Sequence, residues 1–154
     1  MSNAASAEEL EDQQRRAVVA AALGWKGTPF HHEAMVKGAG VDCGMFLVAV
    51  YREVGLIPLF TVEHYSYQWH LHRTREWYLE YLGRFGREIP ESDKGPGDVV
   101  IWKMARTFSH AAIILNWPLV IHAANGRGVI IDNVKNSVRF INRKRKFFSP
   151  WGKE

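Results

Sequence analysis

The feature that most constrains this chain is a change of period at Gly95-Pro96-Gly97. Before it, apolar residues recur at helical spacing. After it come short segments rich in Val and Ile at residues 98–104, 109–115, 119–123, 129–133 and 138–148, which read as strands. Turn residues separate them: Asn116-Trp117-Pro118, Asn125-Gly126 and Asn136-Ser137. Connections this short cannot house a helical crossover, so neighbouring strands must pair antiparallel. Helices first and about five antiparallel strands second define an α+β chain.

The helical half has its own punctuation. Ser6, with Glu9 three residues on, forms a capping box that opens a helix running to about Leu23. Leu10, Gln14, Ala17, Val18 and Ala21 share one face of it, and Gly24 is the stop. Residues 25–40, with Gly27, Pro29, Gly38 and Gly40, read as loop. Asp42 is placed to N-cap a second helix that runs to Val54 and ends at Gly55. Residues 45–50 are apolar without a break, so this helix must be buried on most sides and lie at the centre of the fold. The spacing of Trp77, Tyr81 and Phe85 predicts a third helix over residues 74–85, and residues 90–97 are a linker.

At 154 residues the chain fits one domain, read as residues 6–154, with residues 1–5 a disordered or vector-derived extension. A domain of this size can bury roughly 70% of its unfolded surface, so no metal is needed to hold a core. The single cysteine rules out an internal disulfide. Charge is uneven: Lys135, Arg139, Arg143, Lys144, Arg145, Lys146 and Lys153 face only Glu154 in the last twenty or so positions, and the rest is acidic on balance. Residues 142–146 therefore read as a solvated final edge strand, continuing from Val138 and Phe140, where Lys and Arg discourage edge pairing; neither nucleic acid nor membrane is expected as a partner. Arg15-Arg16 before the apolar residues 17–23 imitates a signal peptide, but four acids precede it and the run is short, so cytoplasmic synthesis without a signal peptide is expected.

Chemistry concentrates around Cys43. At the first turn of a buried helix, unpaired N–H groups and the helix dipole favour a thiolate, and the same groups can bind an oxyanion. The alternative for a lone cysteine is a small buried apolar residue. A thiol nucleophile needs a base, and the base needs an orienting partner. His110 and His122 lie twelve positions apart on either side of the turn at Asn116-Trp117, close to cross-strand partners, where opposed Cβ atoms are about 4.5–5.5 Å apart. His122 can then fix the tautomer of His110. His64, His70 and His72 beside Glu63 have no second cluster that completes a metal geometry, so no metal or other cofactor is expected; with Tyr65, Tyr67 and Trp69 they form a cleft wall or an exposed aromatic loop.

Five segments in order carry a resemblance: Gly27-Thr28-Pro29-Phe30, Val41-Asp42-Cys43-Gly44, Gly95-Pro96-Gly97-Asp98-Val99-Val100, Ser109-His110-Ala111-Ala112-Ile113-Ile114 and Val120-Ile121-His122-Ala123. Together they resemble the NlpC-type, papain-like cell-wall cysteine peptidases. Residues 29–34 and Lys37-Gly38-Ala39-Gly40 are most similar to the phage tail-associated branch. The resemblance implies a papain-like fold and hydrolysis of peptidoglycan stem peptides, typically after γ-D-glutamate and before diaminopimelate or lysine. It implies Cys43 as nucleophile, His110 as base and His122 as the third polar residue, and phage tail proteins as partners that carry the domain to the wall. Phe30, His32, Asp42 and Trp69 are the candidate substrate contacts, although capping the helix is the simpler role for Asp42. Two positions depart from the family pattern: Phe30 stands for a usual Tyr and Gly44 for a usual Ser. They feed a rival reading, a non-catalytic tail- or wall-binding module on the same fold; an amidase or acyl transferase on the same triad is the other alternative.

Overall fold

The computed structural model describes residues 6–60 and 76–152. Helix α1 spans Ala7–Leu23, and its N-cap Ser6 accepts a hydrogen bond from the Glu9 amide, as the capping box requires. It stops at Gly24, which stays right-handed at φ −64°; the left-handed residue is Gly27, at φ 89°. The buried face differs from the expected one. Val18 and Ala22 are buried and Arg15 is half-buried, whereas Leu10 and Ala17 are exposed. The face is turned by Arg15, whose Nη1 lies 3.1 Å from the fully buried Asp98 carboxylate and whose guanidinium covers the Trp151 ring at 4.2 Å.

A two-residue hairpin follows, β1 (Met35–Val36) against β2 (Gly40–Val41), and leads directly into α2, Cys43–Glu53. Asp42 Oδ1 accepts the Met45 amide at 2.9 Å, so the predicted N-cap is present. At the other end Leu56 N–H donates to Tyr51 O and Gly55 N–H to Arg52 O, with Gly55 at φ 76°. This is a Schellman closure, which a left-handed glycine completes without a Cβ penalty. Phe46, Leu47, Val50 and Tyr51 face the core, each such burial favouring the folded state by about 1.5–3 kcal/mol. Helix α3, Trp77–Phe85, realises the third predicted helix; positions 74 and 75 of that expectation lie outside the described residues.

The remaining strands are β3 (Arg87–Ile89), β4 (Val99–Met104), β5 (Thr107–Asn116), β6 (Leu119–Ala124), β7 (Gly128–Asn133) and β8 (Arg145–Ser149). They form one six-stranded sheet in the order β3-β8-β4-β5-β6-β7, antiparallel throughout. Helices packed against an antiparallel sheet are the α+β arrangement expected. One face, with Val99, Ile101, Ala111, Ile113 and Ile121, joins the core shared with α1 and α2; the other, with Val100, Trp102, Ala112, Ile114 and Val120, closes under Phe140 and Val134.

The end of the chain corrects the sequence reading. Residues 138–143 are turns, not strand: Phe140 and Ile141 amides both return to Ser137 O, Val138 is 95% exposed, and Phe140 is fully buried on Trp102 with ring centroids 3.9 Å apart. The apparent alternation of Val138 and Phe140 therefore reflects one anchoring ring rather than a pleat. β8 is interior, paired on one side with β4 and on the other with β3. Its basic residues are neutralised along the way, Arg145 bidentately by Glu91 at 3.0 and 2.7 Å and Lys146 by Glu88 at 3.5 Å.

Candidate active site

Cys43 begins α2 because Asp42 caps it there, and the cap aims the thiol at β5. Sγ lies 3.7 Å from the Ser109 carbonyl, and the Ala111 amide also acts on it, so the sulfur touches the backbone on both sides of His110. Ser109 is an added residue in its strand: Trp102 pairs with His110, but Lys103 pairs with Phe108. A bulge beside a reactive group re-aims the neighbouring side chain. The His110 ring lies parallel to Trp102 and Phe140, with centroids 6.3 and 5.7 Å away.

His110 Nε2 is 2.8 Å from His122 Nδ1, with the two rings nearly perpendicular at 88°. The register is not quite the one expected. β5 and β6 pair Ile113 with Ile121 and Ile114 with Val120, so the position opposite His122 is that of Ala112. His110 is the diagonal neighbour on the same face, still within reach of a ring. His122 is fully buried, and burial pulls its pKa down to about 4 against the opposing pull of Asp132. Its Nε2 meets Asp132 Oδ2 at 3.3 Å. Asp132 escapes a reading of the sequence as strands and turns, yet the signal is there. A hairpin about Gly126 puts Asp132 opposite Val120, one diagonal step from His122.

The thiol corrects a second expectation. Burial pushes the Cys43 pKa up to about 12, and the Asp42 carboxylate pushes the same way. Backbone N–H groups of Ala111, Gly44 and Cys43 act in the opposite sense but lose. The helix-terminus N–H groups do act on the thiol, but they do not outweigh desolvation and the neighbouring Asp42 carboxylate.

Cys43 and His110 line one cleft of about 700 Å³ with Phe30, His32, Asp42 and Gly44, while His122 sits behind His110. Three of the four candidate substrate contacts therefore share the cleft; Trp69, like His64, His70 and His72, lies outside the described residues. His32 approaches Asp42 Oδ2 at 3.9 Å and Glu33 at 3.5 Å. Asp42 Oδ2 also accepts the Glu33 amide at 2.7 Å, so its carboxylate is engaged in the loop as well as in the cap. Tyr78, unremarked in the sequence, donates its hydroxyl to Cys43 O at 3.1 Å. A Cβ on Gly44 would meet the Tyr78 ring and Asp42 only at 3.8 Å, so no close contact requires glycine there. Trp77, Tyr81 and Phe85 give the cleft an aromatic wall, and Asn125, Arg139 and Arg143 line it too. Among the described residues no group of His, Cys, Asp and Glu could hold a metal, and no helix is long and apolar enough to cross a membrane.

Comparison with known proteins adds to this geometry. The model of the NlpC/P60 family matches residues 27–143. The NlpC/p60 domain of the peptidoglycan hydrolase SagA is 23% identical with a TM-score of 0.60, covering 86% of this chain and 96% of that one. NlpC1 from Trichomonas vaginalis is 15% identical with a TM-score of 0.63, covering 88% of this chain but 43% of that one. The P60 domain of an antigen from M. avium paratuberculosis is 17% identical with a TM-score of 0.57, covering 88% and 92%. At these identities the solved structures show a shared papain-like fold. No curated protein matches the chain.

Proposed function

The chain belongs to the NlpC/P60 family, and from that premise we propose that it is a cysteine endopeptidase hydrolysing an amide bond of peptidoglycan stem peptides, after γ-D-glutamate. The family as a whole is one of cysteine peptidases and peptidoglycan hydrolases. The observation that supports the cysteine-peptidase reading is the contact of the Cys43 thiol with the backbone on both sides of His110, whose ring leans on His122 at 2.8 Å; the choice of bond rests on the family resemblance of the sequence segments.

His122 accepts a hydrogen bond from His110 Nε2–H and so leaves His110 Nδ1 with its lone pair. As Sγ attacks the carbonyl carbon, Nδ1 takes the thiol proton. The N–H groups of Cys43 and Gly44, which already face the sulfur, receive the oxyanion. The imidazolium then protonates the leaving amine, the C–N bond breaks, and a thioester remains. Water, deprotonated by the same Nδ1, releases the acid and the free thiol. The cleft wall of Phe30, His32 and Asp42 flanks the thiol for substrate.

Phe30 and Gly44, which stand where the family pattern has Tyr and Ser, favour one other reading, a wall-binding module that keeps the fold without the reaction. Purified protein and Cys43→Ala on defined stem peptides, with products identified by mass spectrometry, separate the two. The proposal expects cleavage at the γ-D-glutamyl bond by the first protein only; equal products from both, or none from either, would end it. Delivery by a phage tail belongs to the same proposal and is supported by residues 29–34 and 37–40 of the sequence alone. It is checked by looking for the protein in purified virions.

A further inference from the structure

We propose that Asp132 is the positioning residue that selects the working tautomer of the base, acting through His122. The inference rests on the cysteine-peptidase reading for its kinetic consequence, but its structural core does not.

The argument is one of donors and acceptors. An ionised carboxylate can only accept, so the contact of Asp132 Oδ2 with His122 Nε2 places a proton on that nitrogen. A neutral imidazole then has a lone pair on Nδ1. That lone pair faces His110 Nε2 at 2.8 Å, so Nε2 of His110 must carry the proton and its Nδ1 the lone pair. One carboxylate thereby sets the proton positions on two rings in series. The carboxylate is itself held: its Oδ1 accepts the Asn133 amide at 3.0 Å, and its side chain is only 23% exposed. His122, with no exposed surface, has no solvent route to an alternative partner.

The Asn133 amide makes the test sharp. In Asp132→Asn the amide oxygen stays on the Asn133 N–H, because that donor needs an acceptor. The new NH₂ group is then turned toward His122. His122 must accept at Nε2, carry its proton on Nδ1 and donate to His110 Nε2. His110 then carries its proton on Nδ1, a donor where a base is needed. Asp132→Ala imposes no tautomer; both remain accessible, and only the bias is lost.

Asp132→Asn should therefore lower kcat by about 10²- to 10⁴-fold with little change in KM, and Asp132→Ala should lower it by about tenfold or less. Asn copies the shape of Asp better than Ala does, so a purely structural role predicts the reverse order. In a His122→Gln background the Asn substitution should cost no more than a few-fold, because an amide has no ring proton to relocate. Imidazole ¹⁵N shifts in Cys43→Ala protein give a readout independent of turnover: His122 should be the Nε2–H tautomer when Asp132 is present and the Nδ1–H tautomer once Asp132→Asn is added. An unchanged tautomer, or Asn milder than Ala, overturns the inference. If the tautomer switches while the chain cleaves no stem peptide, the inference stands and the proposed function falls.

Discussion

Two buried acid–base links among the described residues do different work. Asp98, fully buried, is paired with Arg15 at 3.1 Å and ties α1 to the start of β4. Asp132 is paired with the fully buried His122 at 3.3 Å, and His122 with His110. In the first link the cation is a guanidinium that never gives up its proton. It stacks on Trp151 and also donates to Pro96 O, so it fixes geometry and nothing else. In the second the partner is an imidazole held neutral by burial, which can pass on a preference about where a proton sits. The choice between Arg and His as the partner decides whether a buried carboxylate fastens a helix or directs a base.

The largest effect should come from breaking the fastening link. Arg15→Met leaves a buried carboxylate without its cation, which costs about 3–5 kcal/mol. Urea unfolding at neutral pH should show that loss, while kcat per folded molecule stays unchanged; a fall in kcat to match would erase the distinction between the links. The pH dependence has a definite sign. Burial raises the Asp98 pKa despite the nearby Arg15, so the folded state holds this proton more tightly than the unfolded state. Stability from this group falls as pH rises out of the carboxylate range. Without Arg15 the carboxyl is raised further, and the deficit of the variant should shrink on acidification.

The second link should show the opposite slope. The folded-state pKa of His122 is lowered to about 4, from about 6.5 in an unfolded chain. The unfolded state therefore binds the extra proton first, and stability is lost as pH falls through that window, by about 3 kcal/mol in all. Urea midpoints measured across the window should flatten in His122→Gln. If they do not, the acid sensitivity belongs to another group.

The smallest effect sets a baseline for both. Glu91 and Arg145 make a bidentate pair on the surface, 46% and 30% exposed. Glu91→Gln should cost less than about 1 kcal/mol, and the loss should diminish in high salt. The Arg145 hydrogen bond lowers the Glu91 pKa, so whatever this pair adds is lost as pH falls through that lowered value. A cost as large as that of Arg15→Met would mean that burial is not what separates these links.

The fold was legible where local chemistry carries it. Ser6, Asp42 and Gly55 mark helix ends by capping, and the turn at Asn125-Gly126 fixes a hairpin register. The positions of Cys43, His110 and His122 followed from the start of one helix and one strand turn. What escaped depends on distant residues or on register faults. Arg15 reads as part of a basic pair until Asp98, far along the chain, is seen beneath it. The register of β5 against β6, with its shift between Ile114 and Asn116, leaves no pattern in the sequence, so His110 and His122 looked opposed when they are diagonal. The balance of effects on the thiol is likewise a property of the packed cleft, where desolvation and the Asp42 carboxylate oppose the helix-terminus N–H groups.

The interior place of β8 has a consequence for synthesis. β3 and β4 meet only through β8, so a ribosome releases both long before the strand that joins them. Until residues 145–149 emerge, β3 has no partner and β4 offers an open edge made of Val99, Val100, Ile101 and Trp102. That edge is the stretch of the nascent chain most exposed to pairing with a neighbour. Interrupted translation should therefore yield aggregate rather than a smaller soluble domain.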